Sequence, residues 1–354
     1  MNLGKKQPQP SASEAEPETR AGDAQFGATG EEDPTARRED ERSGTRTLME
    51  EVLHPDNLRS ALKRVKSNDG SPGVDGMTCE QLSQHLRLHW PLIRAQLFAS
   101  QYQPQPVRAC EIPKAKGGTR TLGIPTALDR FIQQAILQVL QPRFDPTFSP
   151  HSYGFRPGRS AHDAIDAARA YVAQGREVVV DVDLKDFFNH INHDVLMGRL
   201  ARRIEDKRLL KLIRAFLTTG LFVGGIARER DQGTPQGGPL SPLLANVLLD
   251  EVDKDLESRG HTFVRYADDC NVYVRSLRAG HRVMDHLREK YGTLRLTIND
   301  AKSAVAVVWG RKFLGYSFFR DPQGEVKKGV SASAQTTFPD TREAPDPSDG
   351  GDEP

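Results

Sequence analysis

The feature that most constrains this chain is a pair of acidic clusters, each set inside a strongly apolar segment. The first is VVVDVDLKDFF, residues 178–188, where Asp181 and Asp183 alternate with Val. The second is FVRYADDCNVYV, residues 263–274, where Asp268 and Asp269 stand between two apolar runs. Both segments predict β-strands, the second as a hairpin with its aspartates at the tip. Carboxylates are costly to bury there without cations or hydrogen bonds, so both clusters are candidate sites.

Asp181 and Asp183 are two residues apart, which predicts that they share one face of the strand. Adjacent aspartates at a turn are often only turn chemistry, so the second cluster alone is ambiguous. Taken together, the clusters suit octahedral Mg²⁺, which prefers oxygen ligands. Two such ions can activate a 3′-hydroxyl and stabilise a leaving pyrophosphate, an arrangement typical of the palm of a template-directed polymerase.

Charge is unevenly distributed along the 354 residues, although the whole chain is nearly neutral at +1. Residues 1–46 carry a net charge of −3 and residues 321–354 a net charge of −5, and both segments are poor in large apolar side chains. We expect both to be disordered tails, because they cannot bury enough apolar surface. The middle, residues 47–320, carries +9, as expected of a polyanion-binding protein or of a mildly basic enzyme with a neutral substrate.

Several classes of protein are disfavoured. The apolar stretches fall short of the ~20 residues that cross a bilayer, and the N-terminus lacks the apolar core of a secretory signal. The three cysteines are widely spaced and form no CxxC pair. We therefore expect a cytoplasmic protein with no membrane partner.

Residue spacing predicts an α+β fold, because helices and strands mix without regular βαβ alternation. Helices are predicted over residues 48–65, 78–98 with Thr78 as N-cap, 129–140 closed by Pro142, 160–174, 195–217 as one or two helices, 240–256 and 278–291. Strands are predicted over residues 107–113, 119–124, 177–184, 263–266, 271–274, 294–298 and 304–308.

Seven segments in order give the chain a specific resemblance. They are SPGVDGMT, IPKAKGGTRTLGIPTALDRFIQQAILQVLQPRFDPTFSPHSYGFRPGRSAHDAI, VVVDVDLKDFF, GTPQGGPLSPLLANVLLDEVD, RYADDCNVYV, LTINDAKSAV and RKFLGYSF. Across about residues 50–319 the chain resembles a bacterial group II intron reverse transcriptase/maturase. The resemblance implies a right-handed fingers–palm polymerase, with fingers and an N-terminal extension over 47–170 and a palm over 171–320. Family members usually continue into a basic helical thumb or maturase domain, so the chain looks truncated after the palm.

The resemblance also implies catalytic roles. Asp183, Asp268 and Asp269 resemble the metal-binding triad, with the backbone carbonyl of Leu184 completing one shell around two Mg²⁺ ions, or Mn²⁺. Asp181 is expected to be structural. Lys302 resembles a lysine that protonates pyrophosphate, although a surface lysine is an equal interpretation.

Further residues resemble substrate-binding groups. Arg120, helped by Lys114, would hold the incoming triphosphate, whereas Lys116 has the look of a solvated turn lysine. Phe188 would exclude a ribose 2′-hydroxyl, with a core phenylalanine as the alternative. Gln236 and Gly237 would lie against the templating pair, or form an ordinary Gly-Pro loop, and Tyr266 would pack near the primer terminus.

The segment HSYGFRPGRSAHD interleaves aromatic and basic residues, a pattern that suits nucleic-acid stacking, with a buried aromatic pair as the competing interpretation. The residues concerned are Tyr153, Phe155, Arg156, Arg159 and His162. Asn189 stands where the family commonly has an acidic residue, which gives no reason to expect lost catalysis.

The implied function is RNA-directed DNA polymerase activity. Its partners would be an RNA template, a DNA primer, deoxynucleoside triphosphates and group II intron RNA. The alternatives are a catalytically impaired remnant, an RNA-binding splicing (maturase) factor, or a reverse transcriptase recruited to phage defence.

Overall fold

A four-stranded antiparallel sheet at the centre of the chain carries both acidic clusters. We describe it from a computed structural model, which describes residues 47–113, 119–223, 226–228, 231–234 and 237–331. The strand order is β6-β7-β3-β8, with β3 at Val178–Val182, β6 at Thr262–Tyr266, β7 at Asp269–Val274 and β8 at Ala304–Val307. The strand that leads to Asp183 therefore lies beside the hairpin that carries Asp268 and Asp269.

Two further sheets lie within the described residues. One has the order β2-β1-β4-β5, formed by β1 Val107–Pro113, β2 Thr119–Ile124, β4 Leu221–Val223 and β5 Ile226–Arg228. The other has the order β11-β10-β9, formed by β9 Lys312–Phe313, β10 Tyr316–Arg320 and β11 Val326–Val330. Because β4 pairs with β1, a segment from the predicted palm region joins the predicted fingers hairpin.

Ten α-helices of the described residues pack around these sheets. They are α1 Leu48–Val52, α2 Pro55–Asn68, α3 Leu82–Phe98, α4 Ala127–Phe144, α5 Ala161–Ala173, α6 Phe187–His190, α7 His193–Ala201, α8 Lys207–Thr218, α9 Ser241–Ser258 and α10 Leu277–Thr293.

The central sheet is covered on both faces, which explains why β3 is an almost continuous apolar run. Val178, Val180 and Val182 join the large core, which contains residues of α9 and α10. Val179 faces the opposite way, into a smaller core with residues of α5 and the β9–β10 hairpin. The strand's period of two thus divides its side chains between two cores.

Several predicted elements are wrong in their boundaries. The single helix predicted over 48–65 is instead two helices, α1 and α2. The second begins at Pro55, because proline is well tolerated in the first turn of a helix. Thr78 is not an N-cap, because α3 begins at Leu82 after Gln81. Pro142 does not close α4, which continues to Phe144.

Two further predictions are wrong, namely the strand over residues 294–298 and the start of the disordered tail at residue 321. Residues 294–298 are not a strand, although Ile298 makes an isolated bridge to Leu184. The disordered tail predicted over 321–354 begins too early, because β11 at Val326–Val330 pairs along the whole length of β10. Cross-strand pairing supplies the backbone hydrogen bonds that local composition did not reveal. The remainder of both predicted tails lies outside the described residues.

Candidate active site

The sheet register brings the two acidic clusters to the same end of adjacent strands. Val182 pairs with Cys270, so Asp183 follows directly opposite Asp269 at the tip of the β6–β7 hairpin. Tyr266 pairs with Asp269 and closes the hairpin. Adjacent strands are about 4.8 Å apart, so the carboxylates crowd one sheet edge.

The turn itself has an unusual backbone conformation. Ala267, between the strands, has φ of 57°, in the left-handed region that non-glycine residues seldom adopt. The small alanine side chain limits the steric cost. This conformation presents Asp268 and Asp269 consecutively at the hairpin tip.

Asp183 is held by a loop that precedes β8. Its backbone N–H donates to Ser303 Oγ at 3.0 Å, and its carbonyl accepts from the Asn299 N–H at 2.9 Å. The Asn299 side chain donates to Asp183 Oδ1 at 3.2 Å. Lys302 Nζ lies 3.5 Å from the same oxygen. The loop therefore sets the position of the carboxylate and places one cation beside it.

The charges at this edge repel one another. Although Asp269 keeps surface exposure, desolvation raises the pKa of its carboxyl to about 6, and the negative charges of Asp268 and Asp183 add to the rise. Lys302 opposes it. Such crowding of like charges is relieved by a bound cation.

Asp181 has a different environment from Asp183. Its Oδ2 accepts from Arg311 Nη2 at 2.6 Å. With the Asn271 amide turned to place its nitrogen towards the carboxylate, Asn271 donates to Asp181 Oδ1 at 3.0 Å. Burial raises the pKa of Asp181, while Arg311 opposes the rise. Asp181 is thus held by Arg311 and Asn271, and its structural role stays a prediction.

A buried arginine supports the aspartate hairpin from behind, and the sequence analysis did not single it out. Arg265 is fully buried and pairs with the equally buried Asp253 of α9, with Nη2 and Oδ2 2.6 Å apart. Its Nη1 donates to the Ala267 carbonyl at 2.8 Å and to Asn246 Oδ1 at 2.9 Å. Although burial lowers the pKa of Arg265, Asp253 raises it above the ordinary value. The sequence feature that could have identified Arg265 is an arginine inside an otherwise apolar predicted strand.

The HSYGF segment, residues 151–155, packs against the β6–β7 hairpin. Tyr153 and Arg265 bond through their backbones, with the Tyr153 N–H donating to the Arg265 carbonyl at 2.8 Å. Gly154 lies so close to the turn that a Cβ there would stand 2.9 Å from the carbonyl carbon of Tyr266. Asn246 also donates to the Gly154 carbonyl, at 3.0 Å. Only glycine permits this approach.

The basic and aromatic residues after Gly154 divide between structural and exposed positions. Arg156 is buried and bonds to Asp145 Oδ1 at 2.8 Å, so its stacking role on nucleic acid is wrong. Arg159 lies over the Tyr153 ring at 5.1 Å, and His162 lies 3.2 Å from the Tyr316 hydroxyl. Phe155 remains exposed.

Phe188 is half-buried at the start of α6. Its ring lies edge-on to Phe155, with 6.4 Å between ring centroids. Its carbonyl accepts from the Thr234 N–H at 2.8 Å, which joins it to the GTPQGG loop. Phe187 beside it is fully packed in the core.

Other predicted binding residues are only partly described. Gly237 has φ of 131°, and a Cβ there would stand 2.8 Å from the Gly123 carbonyl oxygen of β2. This contact places Gly237 against the β1–β2 hairpin. Lys114, Lys116 and Gln236 lie outside the described residues, as does the side chain of Arg120.

The oxygen-rich donor set fits a hard divalent cation. The carboxylates of Asp183, Asp268 and Asp269 and the carbonyl of Leu184 are the donors that Mg²⁺ and Mn²⁺ accept. Among the described residues, no three His, Cys, Asp or Glu side chains form a preassembled metal cage. Water and substrate phosphates would therefore have to complete the coordination.

Comparison with known proteins decides the family. The reverse transcriptase (RNA-dependent DNA polymerase) family model matches residues 112–318. The chain belongs to the reverse transcriptase family. Its predicted class, RNA-directed DNA polymerase, is confirmed at the level of the family, whose members use divalent metal ions.

Two relatives support the group II intron resemblance of this reverse transcriptase. Protein YkfC of Escherichia coli K12 is 31% identical over 318 residues, covering 77% of this chain and 83% of the relative. The group II intron-encoded protein LtrA of Lactococcus lactis is 35% identical over 215 residues, covering 58% of this chain. The match spans only 34% of LtrA. The predicted relationship to group II intron reverse transcriptases/maturases is confirmed.

A solved structure agrees on the fold. Telomerase from Candida albicans, in complex with a TWJ fragment of telomeric RNA, matches with a TM-score of 0.50 and 14% identity. The match covers 65% of this reverse transcriptase and 46% of that chain. Separately, none of the helices among the described residues of this chain is sufficiently long and apolar to cross a membrane.

Proposed function

We propose that this chain extends a DNA primer on an RNA template with deoxynucleoside triphosphates, as a group II intron-type reverse transcriptase. The observation that carries the proposal is the convergence of Asp183 with Asp268 and Asp269 at one sheet edge. This edge is supported from behind by the buried Arg265–Asp253 pair. A rigid scaffold under a crowded acidic edge suits the positioning of reacting groups.

Asp183, Asp268 and the Leu184 carbonyl would hold two Mg²⁺ ions, with Asp269 a weaker ligand. Bound Mg²⁺ would lower the pKa of the primer 3′-hydroxyl and neutralise charge on the triphosphate. Asn299 and Ser303 keep Asp183 in place through side-chain and backbone hydrogen bonds. The raised pKa of Asp269 supports a site that gains from a cation.

Lys302 is the proposed proton donor to the leaving pyrophosphate. Its ammonium lies beside Asp183, is two-thirds exposed and can therefore swing towards a phosphate. A lysine is chemically suited to this task, because it both neutralises charge and carries a transferable proton. Arg120 and Lys114 are proposed to bind the triphosphate.

Residues around the Phe155–Phe188 contact are proposed to select the nucleotide substrate. Phe188 is proposed to exclude the ribose 2′-hydroxyl, since its ring is only half-buried and Phe155 limits its movement. Gly237, with Gln236, is proposed to face the templating base pair. Tyr266, at the hairpin, is proposed to support the primer terminus.

Primer extension on an RNA template with Mg²⁺ and deoxynucleotides tests the proposal. Wild-type chain should extend the primer, and the Asp268→Asn, Asp269→Asn variant should not, while both bind RNA equally. Folded wild-type chain that binds RNA without any extension would contradict polymerase activity and favour a splicing or RNA-binding role.

A further inference from the structure

A basic cavity lies at the end of the central sheet opposite the catalytic turn. Its volume is about 410 Å³. Val178 pairs with Val274, so the segments just outside this pair, including Arg176 and Arg275, meet at the far end of β3 and β7. Five residues of β3 span about 17 Å, which separates this cavity from Asp183.

Six cationic or imidazole side chains line the cavity, and none of its described lining residues is acidic. These side chains are Arg176, Arg259, His261, Arg275, Arg282 and His286. They come from the segment before β3, the α9–β6 connection, the end of β7 and α10. The cluster is therefore assembled by the tertiary fold.

The cluster is incompletely neutralised. Asp255 pairs with His286 at 2.5 Å and with Arg259 at 3.2 Å. Arg275 and Arg282 make no ion pair with any residue of the described ranges. Burial lowers the pKa of His261, and the positive charges of His286 and Arg259 lower it further. Asp255 opposes this lowering of the His261 pKa, and the excess positive charge of the cavity rests on the arginines without an ion pair.

Guanidinium groups are suited to phosphate, because their planar donors can bond two oxygens at once. Among its described lining residues the cavity offers no exposed Phe, Tyr or Trp ring for a nucleobase, since Tyr273, the one residue of these types, is 2% exposed. The chemistry therefore recognises a phosphate backbone without reading the base.

We infer that this cavity binds the phosphodiester backbone of RNA outside the duplex being copied. The opposite end of the sheet carries the candidate catalytic carboxylates, so the two sites bind different segments of nucleic acid. The choice of RNA as the occupant rests on the proposed function, whereas binding here needs neither metal nor primer.

Anisotropy of a fluorescent 60-nucleotide RNA, titrated with the full chain, tests the site. The variant Arg275→Gln, Arg282→Gln should bind about 10-fold more weakly near physiological salt. The slope of its log affinity against log salt should be smaller in magnitude by about 1.4, because each lost contact to single-stranded RNA contributes about 0.7. The matched control is Arg278→Gln, Arg288→Gln. It removes the same number of charges, both from α10 and outside the cavity, and should bind within about 3-fold of wild type.

Three further measurements make the outcome decisive. Millimolar deoxynucleotide or pyrophosphate should not displace the RNA from wild-type chain, and displacement of the RNA would instead identify a small-anion site and overturn the inference. Equal affinity of the cavity variant and the control would also overturn it. Asp268→Asn should keep wild-type RNA affinity, so a failure of catalysis is distinguishable from a failure of this site. Thermal melting of each variant confirms that it is folded.

Discussion

Arg265 and Asp253 form a buried ion pair directly beneath the candidate catalytic turn, with Nη2 and Oδ2 2.6 Å apart and both side chains 0% exposed. The same guanidinium donates to the carbonyl of Ala267, the residue with the left-handed backbone. Through Arg265, Asp253 of α9 thereby helps to fix the position of Ala267 in the hairpin turn. Arg265 is a positioning residue, since it acts on the site through Ala267.

Asp253→Asn should destabilise the fold by about 3–5 kcal/mol, because it leaves the Arg265 charge buried without its partner. Urea unfolding followed by circular dichroism measures this loss. Asp285→Asn is the control, since Asp285 is exposed and pairs only at the surface with Arg288. A loss below 1 kcal/mol in Asp253→Asn would contradict the importance of the pair.

Gly154→Ala should lower the extension rate about 10- to 100-fold, because the new Cβ would stand 2.9 Å from the carbonyl carbon of Tyr266 and displace the turn. Single-turnover extension with saturating nucleotide reports the rate, and RNA affinity should be unchanged. Gly198→Ala is the matched control, since a Cβ added at this position of α7 would meet no neighbouring atom within 4 Å. Wild-type rates in Gly154→Ala would show that the turn tolerates displacement.

Asp183→Asn should reduce extension on the order of 100-fold or more, because a proposed metal ligand loses its charge. Steady-state primer extension over a range of Mg²⁺ concentrations measures the effect. Asp186→Asn removes a nearby charge at a left-handed position that asparagine tolerates, and should retain activity. Comparable loss in both variants would refute a specific role for Asp183.

Phe188→Ala should lower the preference for deoxynucleotides over ribonucleotides about 10-fold or more, since the proposed steric barrier to the 2′-hydroxyl is removed. The ratio of kcat/KM for the two nucleotides is the readout. Phe187→Leu perturbs the adjacent core residue and should leave that ratio unchanged. A Phe188→Ala enzyme with wild-type preference would leave Phe188 as packing alone.

Stability should carry a pH dependence that originates at Asp129. Burial raises its folded-state pKa to about 6, although Thr126 and Tyr102 hydrogen-bond to the carboxylate. The folded state therefore binds the proton more tightly than the unfolded chain, whose carboxyl has an ordinary pKa of about 3.9. Its favourable contribution is complete below about pH 4 and is lost as the pH rises to about 6, a change of about 3 kcal/mol.

The difference between wild type and Asp129→Asn isolates that contribution from other carboxylates. We expect the difference in unfolding free energy to change between pH 4 and 6 and to be constant above pH 7. Urea unfolding at several pH values measures it. A difference that is flat across the whole range would show that the Asp129 pKa is ordinary.

Local patterns were sufficient for much of the fold. The strand at Val178–Val182 and the hairpin around Asp268 follow from β-branched runs interrupted by acids, since such runs favour pleated, buried structure. Element boundaries were less predictable. Pro142 lies within α4, and residues 326–330 form a strand through pairing with β10, because tertiary contacts override local preference.

The sequence by itself determined the acidic clusters, the order of the motifs and hence the family of this chain. The surroundings of those clusters were decided only by the tertiary structure. Arg265 pairs with Asp253, Gly154 lies against the candidate catalytic turn, and Arg176 and Arg275 line one cavity, although the elements involved are far apart in the chain. The physical reason is that residue type and spacing set local backbone preference, whereas burial, charge pairing and close approach depend on which surfaces the fold brings together.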